Sequence, residues 1–326
     1  MESPNGTRSL RSNGKSDGST DPQSKVVTED DRTVLLLGAL GPAHHPNARH
    51  TAVIGLGTGL TSAVLLNAGA LESVDTIKIE PVMVQAAQFL RPRNAAVFDD
   101  ARSRIVINDA RAHFARAGRR YDLIVSEPSN PWVSGVSGLF STEFYERAAN
   151  QLAPDGLFVQ WLQLYEASPE MVGSIVRAFA TVFPEFRVYA SNVADVILVG
   201  RRDGHPVRLA PGAFNLPGLR QQLAPINIDS GVMLAAHDIG RGNFIKLTFD
   251  WYGVPPNSDY FPYVDSRAAR DRFMGASATL MQEMLLAPVP ILEFGSGAPA
   301  NAGRVRHARA DAAAAPAPLA AAPAQR

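Results

Sequence analysis

The sequence predicts an α/β protein with a doubly wound, Rossmann-like and mainly parallel sheet that ends in an antiparallel pair of strands. Between about residues 51 and 200, short apolar runs alternate with segments of helical pattern. This order produces a parallel sheet with helices on both faces. The apolar runs are nearly continuous, as expected for strands that are buried on both sides.

The predicted elements follow one another along the chain as strand, helix, strand. The predicted strands cover residues 51–55, 74–79, 104–107, 121–125, 156–162, 186–190 and 193–200. The predicted helices between them cover residues 60–68, 81–90, 109–117, 141–152 and 169–183. Pro81 fits the first turn of its helix, where a missing N–H costs no hydrogen bond. Asp109 is a favourable N-cap for the next helix.

Composition divides the chain into four segments. Residues 1–30 are rich in Ser, Gly and Asn and predict a partial hairpin or flexible segment. Leu10 to Lys15 is typical of a strand that enters an Asn-Gly turn, so the first strand of this hairpin is expected to begin before Met1. Residues 31–204 form the Rossmann-like domain. Residues 205–295 carry many turn formers and predict a C-terminal lobe. Residues 296–326 are rich in Ala and Pro and predict a disordered tail.

Charge and composition exclude several classes of function. The 31 basic and 31 acidic residues balance, so bulk electrostatic attraction to nucleic acid or to an anionic membrane is not expected. The absence of cysteine excludes a disulfide framework, a thiolate nucleophile and cysteine-bound metal. No apolar run reaches the roughly 18 residues of a membrane span. The seven histidines lack the paired spacing of metal ligands, so no metal is predicted.

A glycine-rich loop directly follows the first strand of the sheet. Gly55, Gly57 and Gly59 let the backbone turn sharply and approach a ligand without a Cβ clash. Together with Thr58 they predict a cofactor-binding loop, although a plain strand-to-helix turn has the same pattern. Leu60 stands where dinucleotide enzymes carry a third glycine. The loop therefore favours a mononucleoside cofactor such as S-adenosylmethionine, with an NAD-dependent oxidoreductase as the weaker alternative.

Two acidic residues follow the next two strands. Glu80 ends the second strand, about twenty residues beyond the glycines, where a carboxylate can accept hydrogen bonds from both ribose hydroxyls. Asp109 follows the third strand and can accept a hydrogen bond from an adenine amino group. Because the carboxyl ends of parallel strands share one edge of the sheet, we expect both residues to line one nucleoside crevice.

The segment after the fourth strand is the most informative stretch of the sequence. Glu127 directly precedes Pro128, and Asn130 lies between Pro128 and Pro131, the two prolines that stiffen the loop. A carboxylate at this point can hold a cationic amine and take its proton, so Glu127 is the candidate catalytic residue and Asn130 a candidate substrate contact. Trp132 can shield a sulfonium by a cation–π contact. Gln160 near the end of the fifth strand and Asp259 in the C-terminal lobe are further candidate substrate residues.

These motifs resemble the spermidine synthase family of polyamine aminopropyltransferases, which share the S-adenosylmethionine methyltransferase fold. The resemblance is closest to the spermidine synthase-like domains that are often fused to membrane transporter segments. The resembling stretches include residues 13–17, 45–47, the glycine loop, 78–81, 108–111, 126–132, 156–161 and 257–259. The resemblance adds Ala110 to the cofactor-binding residues, and it implies a small-molecule polyamine substrate, a homodimer and a cytoplasmic location.

Five positions depart from the family pattern. Thr58 replaces the loop aspartate that binds the amine of decarboxylated S-adenosylmethionine. Glu127 replaces the usual catalytic aspartate, and Asn130 replaces the second acid of that motif. The family's Tyr-Gln pair is matched by Thr33 and Val34. Because a charge pair 4 Å apart is worth about 4 kcal/mol at an effective dielectric near 20, loss of the loop acid weakens the selection against the ordinary cofactor.

The resemblance implies transfer of an aminopropyl group from decarboxylated S-adenosylmethionine to a diamine such as putrescine. A second hypothesis is methyl transfer from ordinary S-adenosylmethionine in the same crevice, which Thr58 favours. A third is a binding module that keeps the fold without catalysis, which the missing Tyr-Gln pair favours.

Overall fold

We describe the protein from a computed structural model that covers residues 1–12, 15–116, 118–250 and 252–278. The Asn13-Gly14 turn of the predicted hairpin and the segment 296–326 lie outside the described residues, as does part of the predicted lobe 205–295. The four-segment division of the chain therefore stays a prediction.

The described chain contains ten strands and eleven α-helices. The strands are β1 (Arg8–Ser12), β2 (Lys15–Thr20), β3 (His50–Ile54), β4 (Ser73–Lys78), β5 (Ser103–Ile107), β6 (Tyr121–Ser126), β7 (Leu152–Gln163), β8 (Glu185–Ala190), β9 (Asp195–Arg201) and β10 (Asp238–Arg241). The helices are α1 (Glu29–His44), α2 (Leu60–Ala68), α3 (Pro81–Ala87), α4 (Ala96–Asp99), α5 (Ala110–Phe114), α6 (Thr142–Ala149), α7 (Pro169–Val182), α8 (Pro217–Leu223), α9 (Gly231–Ala236), α10 (Gly242–Asp250) and α11 (Tyr263–Phe273).

Eight strands form one sheet in the order β10-β8-β9-β7-β6-β3-β4-β5. Strands β3 to β7 pair in parallel, whereas β8, β9 and β10 are antiparallel to their neighbours. The predicted Rossmann-like fold with an antiparallel end is confirmed. Strand β10 was not predicted, and it adds a third antiparallel strand at the sheet edge.

Side chains that alternate along each central strand feed two hydrophobic cores. In β6, Leu123 and Val125 belong to the core beneath α1, α2 and α8, whereas Ile124 belongs to the core beneath α6, α7 and α10. All three are fully buried. Because both faces of the sheet are covered, the continuous apolar strands of the sequence are explained.

The hairpin β1–β2 and helix α1 differ from the sequence expectation. The first strand of the hairpin begins at Arg8, which lies opposite Thr20, and not before Met1 as the sequence predicted. Helix α1 begins after a capping box, in which the Thr28 hydroxyl accepts from the Asp31 N–H and the Asp31 carboxylate accepts from the Thr28 N–H. Helix α1 is absent from the predicted elements because it is buried on most sides and lacks a polar stripe.

The C-terminal elements pack directly on the main sheet. Strand β10 pairs with β8, and α10 contributes Ile245 and Phe249 to the core that α7 covers. Within the described ranges, no helix is both long enough and apolar enough to cross a membrane.

Candidate functional site

A cavity of about 410 Å³ lies at the carboxyl ends of the central strands. Gly55 after β3, Lys78 at the end of β4 and Glu127 after β6 line its floor. The hairpin strand β2 and the first turns of α1 line another side, and residues 192–195 at the start of β9 line a third. The cavity therefore forms where several strand ends converge, which is the usual ligand site of such sheets.

The cavity wall is strongly acidic. Among the described residues, its lining includes one basic side chain, Lys78. The carboxylates that line it are Asp17, Glu29, Asp30, Glu127 and Asp195. A concave site lined by charges of one sign concentrates the electrostatic potential and attracts ligands of the opposite sign. The wall is therefore suited to a cationic ligand.

Glu127 combines burial with close contact to the glycine loop. Its backbone N–H donates to the Ile54 carbonyl (2.8 Å), which continues the pairing of β6 with β3. Its Oε2 atom is buried and has no hydrogen-bond partner among the described residues. Burial raises the pKa of Glu127 to about 7, although the Thr61 hydroxyl and the Lys78 charge act in the opposite direction. A carboxyl that is partly ionised near neutral pH suits general-base chemistry.

The glycine loop is shaped by its contact with Glu127. Gly55 has φ +96°, and a Cβ placed there would lie 2.0 Å from the Glu127 carbonyl oxygen. A Cβ on Gly57 would lie 2.7 Å from Glu127 Oε1. Thr58 instead lies buried against Gly18 of the hairpin, and Gly59 is the N-cap of α2. Only the first part of the predicted loop, through Gly57, lines the cavity.

Asn130 lines the cavity, whereas Trp132 does not. The Asn130 Nδ2 group donates to the Tyr165 hydroxyl (3.3 Å), and its buried Oδ1 has no partner among the described residues. That oxygen is available to accept a hydrogen bond from a ligand. The ring of Trp132 is covered by the Arg272 guanidinium, whose carbon lies 3.6 Å from the ring centroid. The cation on this ring face is therefore the Arg272 guanidinium, whereas the sequence predicted a contact with the sulfonium of the cofactor.

The predicted nucleoside residues lie at the same sheet edge but outside the cavity lining. Glu80 follows β4, its side chain is 52% exposed, and its carboxylate lies 3.9 Å from Lys78 Nζ. Asp109 follows β5 and accepts a hydrogen bond from the Ala112 N–H (2.9 Å), so it caps α5 as predicted. Ala110 is the first residue of α5 and is buried. The strand order places β5, β4 and β3 side by side.

Gln160 and Asp259 have other partners. Gln160 is fully buried, and its Nε2 group donates to the Trp161 carbonyl (2.7 Å). Asp259 forms an ion pair with Arg111 and a second one with Arg147 (3.6 Å). These contacts join α5, α6 and the segment before α11. Neither residue lines the cavity, so the structure differs from the predicted substrate contacts.

Three important lining residues were not candidates in the sequence analysis. Asp30 belongs to an acidic run at the start of α1, a pattern typical of helix first turns. Lys78 precedes Glu80 and ends β4. Asp195 precedes an apolar run and is typical of the start of a strand. In the sequence, each of the three residues is explained by its place in a helix or strand and does not point to a site. Only the fold brings them together.

The spermine/spermidine synthase domain model matches residues 34–197, which is half of the 326 residues. The chain belongs to this family. The polyamine aminopropyltransferase of Bacillus subtilis (strain 168) is 27% identical over 149 residues, which are 46% of this chain and 54% of that relative. The relative from Clostridium perfringens (strain SM101 / Type A) is 27% identical over 172 residues, which are 52% and 60% of the two chains.

The family fold is also found among solved structures. Spermidine synthase from Thermotoga maritima superposes with a TM-score of 0.53 at 20% identity, over 68% of this chain and 75% of that chain. This likeness supports the predicted methyltransferase-type fold. The chain spans about half the length of the curated relatives it matches. In the part of the chain that the structure describes, no cluster of three or more His, Asp or Glu side chains is arranged to hold a metal ion.

Proposed function

We propose that this member of the spermine/spermidine synthase family transfers an aminopropyl group from decarboxylated S-adenosylmethionine to a diamine such as putrescine. The observation that carries the proposal is the position of Glu127, a carboxyl with a raised pKa in an acidic cavity beside the glycine loop. A diamine is a dication at neutral pH and complements the excess of carboxylates. One of its nitrogens must lose a proton before it can attack.

Glu127 acts as the general base in this mechanism. It takes a proton from one ammonium group, and the freed lone pair attacks the carbon beside the sulfonium while the carbon–sulfur bond breaks. Methylthioadenosine leaves as a neutral thioether, and the new secondary amine carries the positive charge. Asn130 Oδ1 accepts a hydrogen bond from the amine. The cavity supplies orientation and a negative potential for the migrating charge.

The nucleoside would extend from the cavity toward the ends of β4 and β5. Gly55 and Gly57 border its sulfonium, Glu80 accepts from the ribose hydroxyls, and Asp109 with Ala110 borders the base. Gln160, Trp132 and Asp259 lie outside the cavity lining and stabilise the surrounding structure through their contacts with the Trp161 carbonyl, Arg272 and Arg111, respectively.

Replacing Glu80 with alanine is expected to weaken nucleoside binding, because two ribose hydroxyls lose a charged acceptor. Charged hydrogen bonds are worth about 1.5–3 kcal/mol, which corresponds to roughly a 10- to 100-fold rise in the dissociation constant of methylthioadenosine by calorimetry. Exposed Glu146 on α6 provides the control variant Glu146→Ala. An unchanged dissociation constant would refute the ribose role.

Methyl transfer from ordinary S-adenosylmethionine is the second candidate function. It is favoured by Lys78 on the cavity wall, which can pair with the carboxylate that only the ordinary cofactor carries. Thr58 is uncharged and does not repel that carboxylate.

Asp17 favours the decarboxylated cofactor instead. Its carboxylate accepts a hydrogen bond from the Ser129 hydroxyl (3.3 Å) next to the glycine loop, and it can replace the loop aspartate that Thr58 lacks.

Product analysis with both cofactors tests the proposal. Incubation of the full chain with decarboxylated S-adenosylmethionine and putrescine is expected to release methylthioadenosine and a triamine. Release of S-adenosylhomocysteine from the ordinary cofactor would establish methyl transfer instead. Tight binding of either cofactor without product from any amine would favour a non-catalytic module.

We also propose that the protein acts as a homodimer in the cytoplasm, as the family resemblance implies. Sedimentation velocity of the purified chain tests the first point, and fractionation of the native cell tests the second.

A further inference from the structure

Asp195 is the first residue of β9 and lies on the cavity wall formed by residues 192–195. Its Oδ1 accepts a hydrogen bond from the Trp161 indole N–H (3.0 Å). Its Oδ2 accepts from the Asn192 amide (3.0 Å) and from the Thr33 hydroxyl (3.1 Å). The side chain remains half-buried and borders the cavity. Three neutral groups therefore fix the carboxylate while part of it faces the ligand space.

Two fully buried carboxylates in this fold are paired with guanidinium groups. Asp31 pairs with Arg93 at 2.9 Å, and Asp75 pairs with Arg104 at 2.7 Å. Within the described ranges, no basic nitrogen lies within 4.0 Å of Asp195. Burial raises the pKa of Asp195, although its hydrogen bonds from Asn192, Trp161 and Thr33 act in the opposite direction. Such a carboxylate gains from a cation that enters the cavity.

The sheet places Asp195 apart from Glu127. Asp195 is in register with Gln163 at the end of β7, and Glu127 follows β6, whose Ser126 is in register with Gln160. The order β9-β7-β6 puts two strand spacings, or about 10 Å, between these backbone positions, and the register adds about two residues, or roughly 7 Å, along the strands, for a backbone separation of about 12 Å. Both side chains line the same cavity, so a short diamine bound there can contact both carboxyl groups.

We propose that Asp195 holds the second, non-reacting ammonium group of the acceptor and thereby selects amines with two cationic ends over amines with one. This inference rests on the proposed function, because it assigns the reacting nitrogen to Glu127. Asp195 is a specificity-determining residue of this site, and its three neutral donors orient the carboxylate in advance of binding.

Comparison of putrescine with n-butylamine, its monoamine analogue, tests this assignment. Methylthioadenosine release by the wild type is expected to give a kcat/KM at least about 100-fold higher for putrescine. Asp195→Asn keeps an oxygen for Trp161 but removes the charge, and is expected to reduce this preference by roughly 10- to 100-fold. The loss is expected mainly in KM for putrescine. Asp195→Glu is expected to retain most of the preference.

The controls separate a specific effect from loss of charge or of folding. Asp99→Asn removes the same charge from an exposed ion pair with Arg91 and is expected to leave the preference unchanged. If circular dichroism shows that Asp195→Asn is unfolded, Asp195→Ser removes the carboxylate without placing an amide N–H opposite Asn192. A wild-type preference near one, or an unaltered preference in a folded variant, overturns the inference.

Failure of the proposed function gives a different result. If no amine yields methylthioadenosine, aminopropyl transfer is rejected, and calorimetric titration of putrescine and n-butylamine decides the role of Asp195. Tighter putrescine binding that Asp195→Asn removes still supports the inference. Equal binding of the two amines, or no binding of either, overturns it.

Discussion

Glu127→Gln is expected to abolish aminopropyl transfer while leaving methylthioadenosine binding nearly unchanged. Glutamine keeps the volume of the side chain but cannot take a proton, and general-base catalysis contributes about 10²–10⁴-fold to a rate. The measurement is methylthioadenosine release under saturating substrates. Glu146→Gln on the exposed face of α6 is the matched control and is expected to retain full activity. Activity of Glu127→Gln within a factor of two of the wild type would remove Glu127 from the mechanism.

The same carboxyl is expected to control the pH dependence of activity and stability. Because the reaction needs the ionised form and burial raises the pKa of Glu127 from 4.5 to about 7, kcat/KM is expected to rise with pH through about 7. Protonated Glu127 favours the folded state, so this stabilisation is complete below about pH 4.5 and is lost as the pH rises to about 7. Glu127→Gln therefore melts at a higher temperature than the wild type at pH 8, with little difference at pH 4. Equal shifts at both pH values would contradict the raised pKa.

Arg93→Met is expected to cost about 3–5 kcal/mol of unfolding free energy, since it leaves a buried charge without its partner. The side chains of Arg93 and Asp31 are 8% and 0% exposed, and their atoms lie 2.9 Å apart. Arg93 also donates to the Thr20 hydroxyl (2.6 Å) at the end of β2. This cluster fastens the hairpin to α1, the two elements that carry Asp17 and Asp30 to the cavity.

Arg91→Met provides the matched control for Arg93→Met. Arg91 lies two residues away and pairs with Asp99 at the surface, where the two side chains are 36% and 59% exposed. Exposed pairs contribute about 0–1 kcal/mol, so urea denaturation of this variant is expected to resemble the wild type. If Arg93→Met loses no more unfolding free energy than Arg91→Met, the buried pair does not hold the hairpin on α1.

Most of the sheet was predictable from local sequence patterns. The apolar run of β6 and the glycine loop after β3 have signals that depend only on neighbouring residues. Helix α1 and strand β10 lacked such signals. Helix α1 has a buried surface on most sides, so its apolar residues follow no helical stripe. Strand β10 is only four residues long and contains Gly240.

The candidate site was only partly predictable. Glu127 and Asn130 follow a strand in a distinctive loop, and both line the cavity. Trp132 and Asp259 lie in equally distinctive segments, but their side chains already have cationic partners. The Arg272 guanidinium covers the Trp132 ring, and Arg111 forms an ion pair with Asp259. A motif specifies which groups are present, whereas the partner of each group is chosen by elements far away in the chain.

By itself, the sequence determined the parallel sheet, the family resemblance and the placement of an acid after the fourth central strand, because each depends on contiguous residues. The tertiary structure alone decided that Asp30, Lys78 and Asp195 share one cavity with that acid. Their separations along the chain are large, and their proximity follows from strand order and from the packing of the hairpin and α1. Burial then sets the protonation of Glu127, since desolvation depends on everything that surrounds a group.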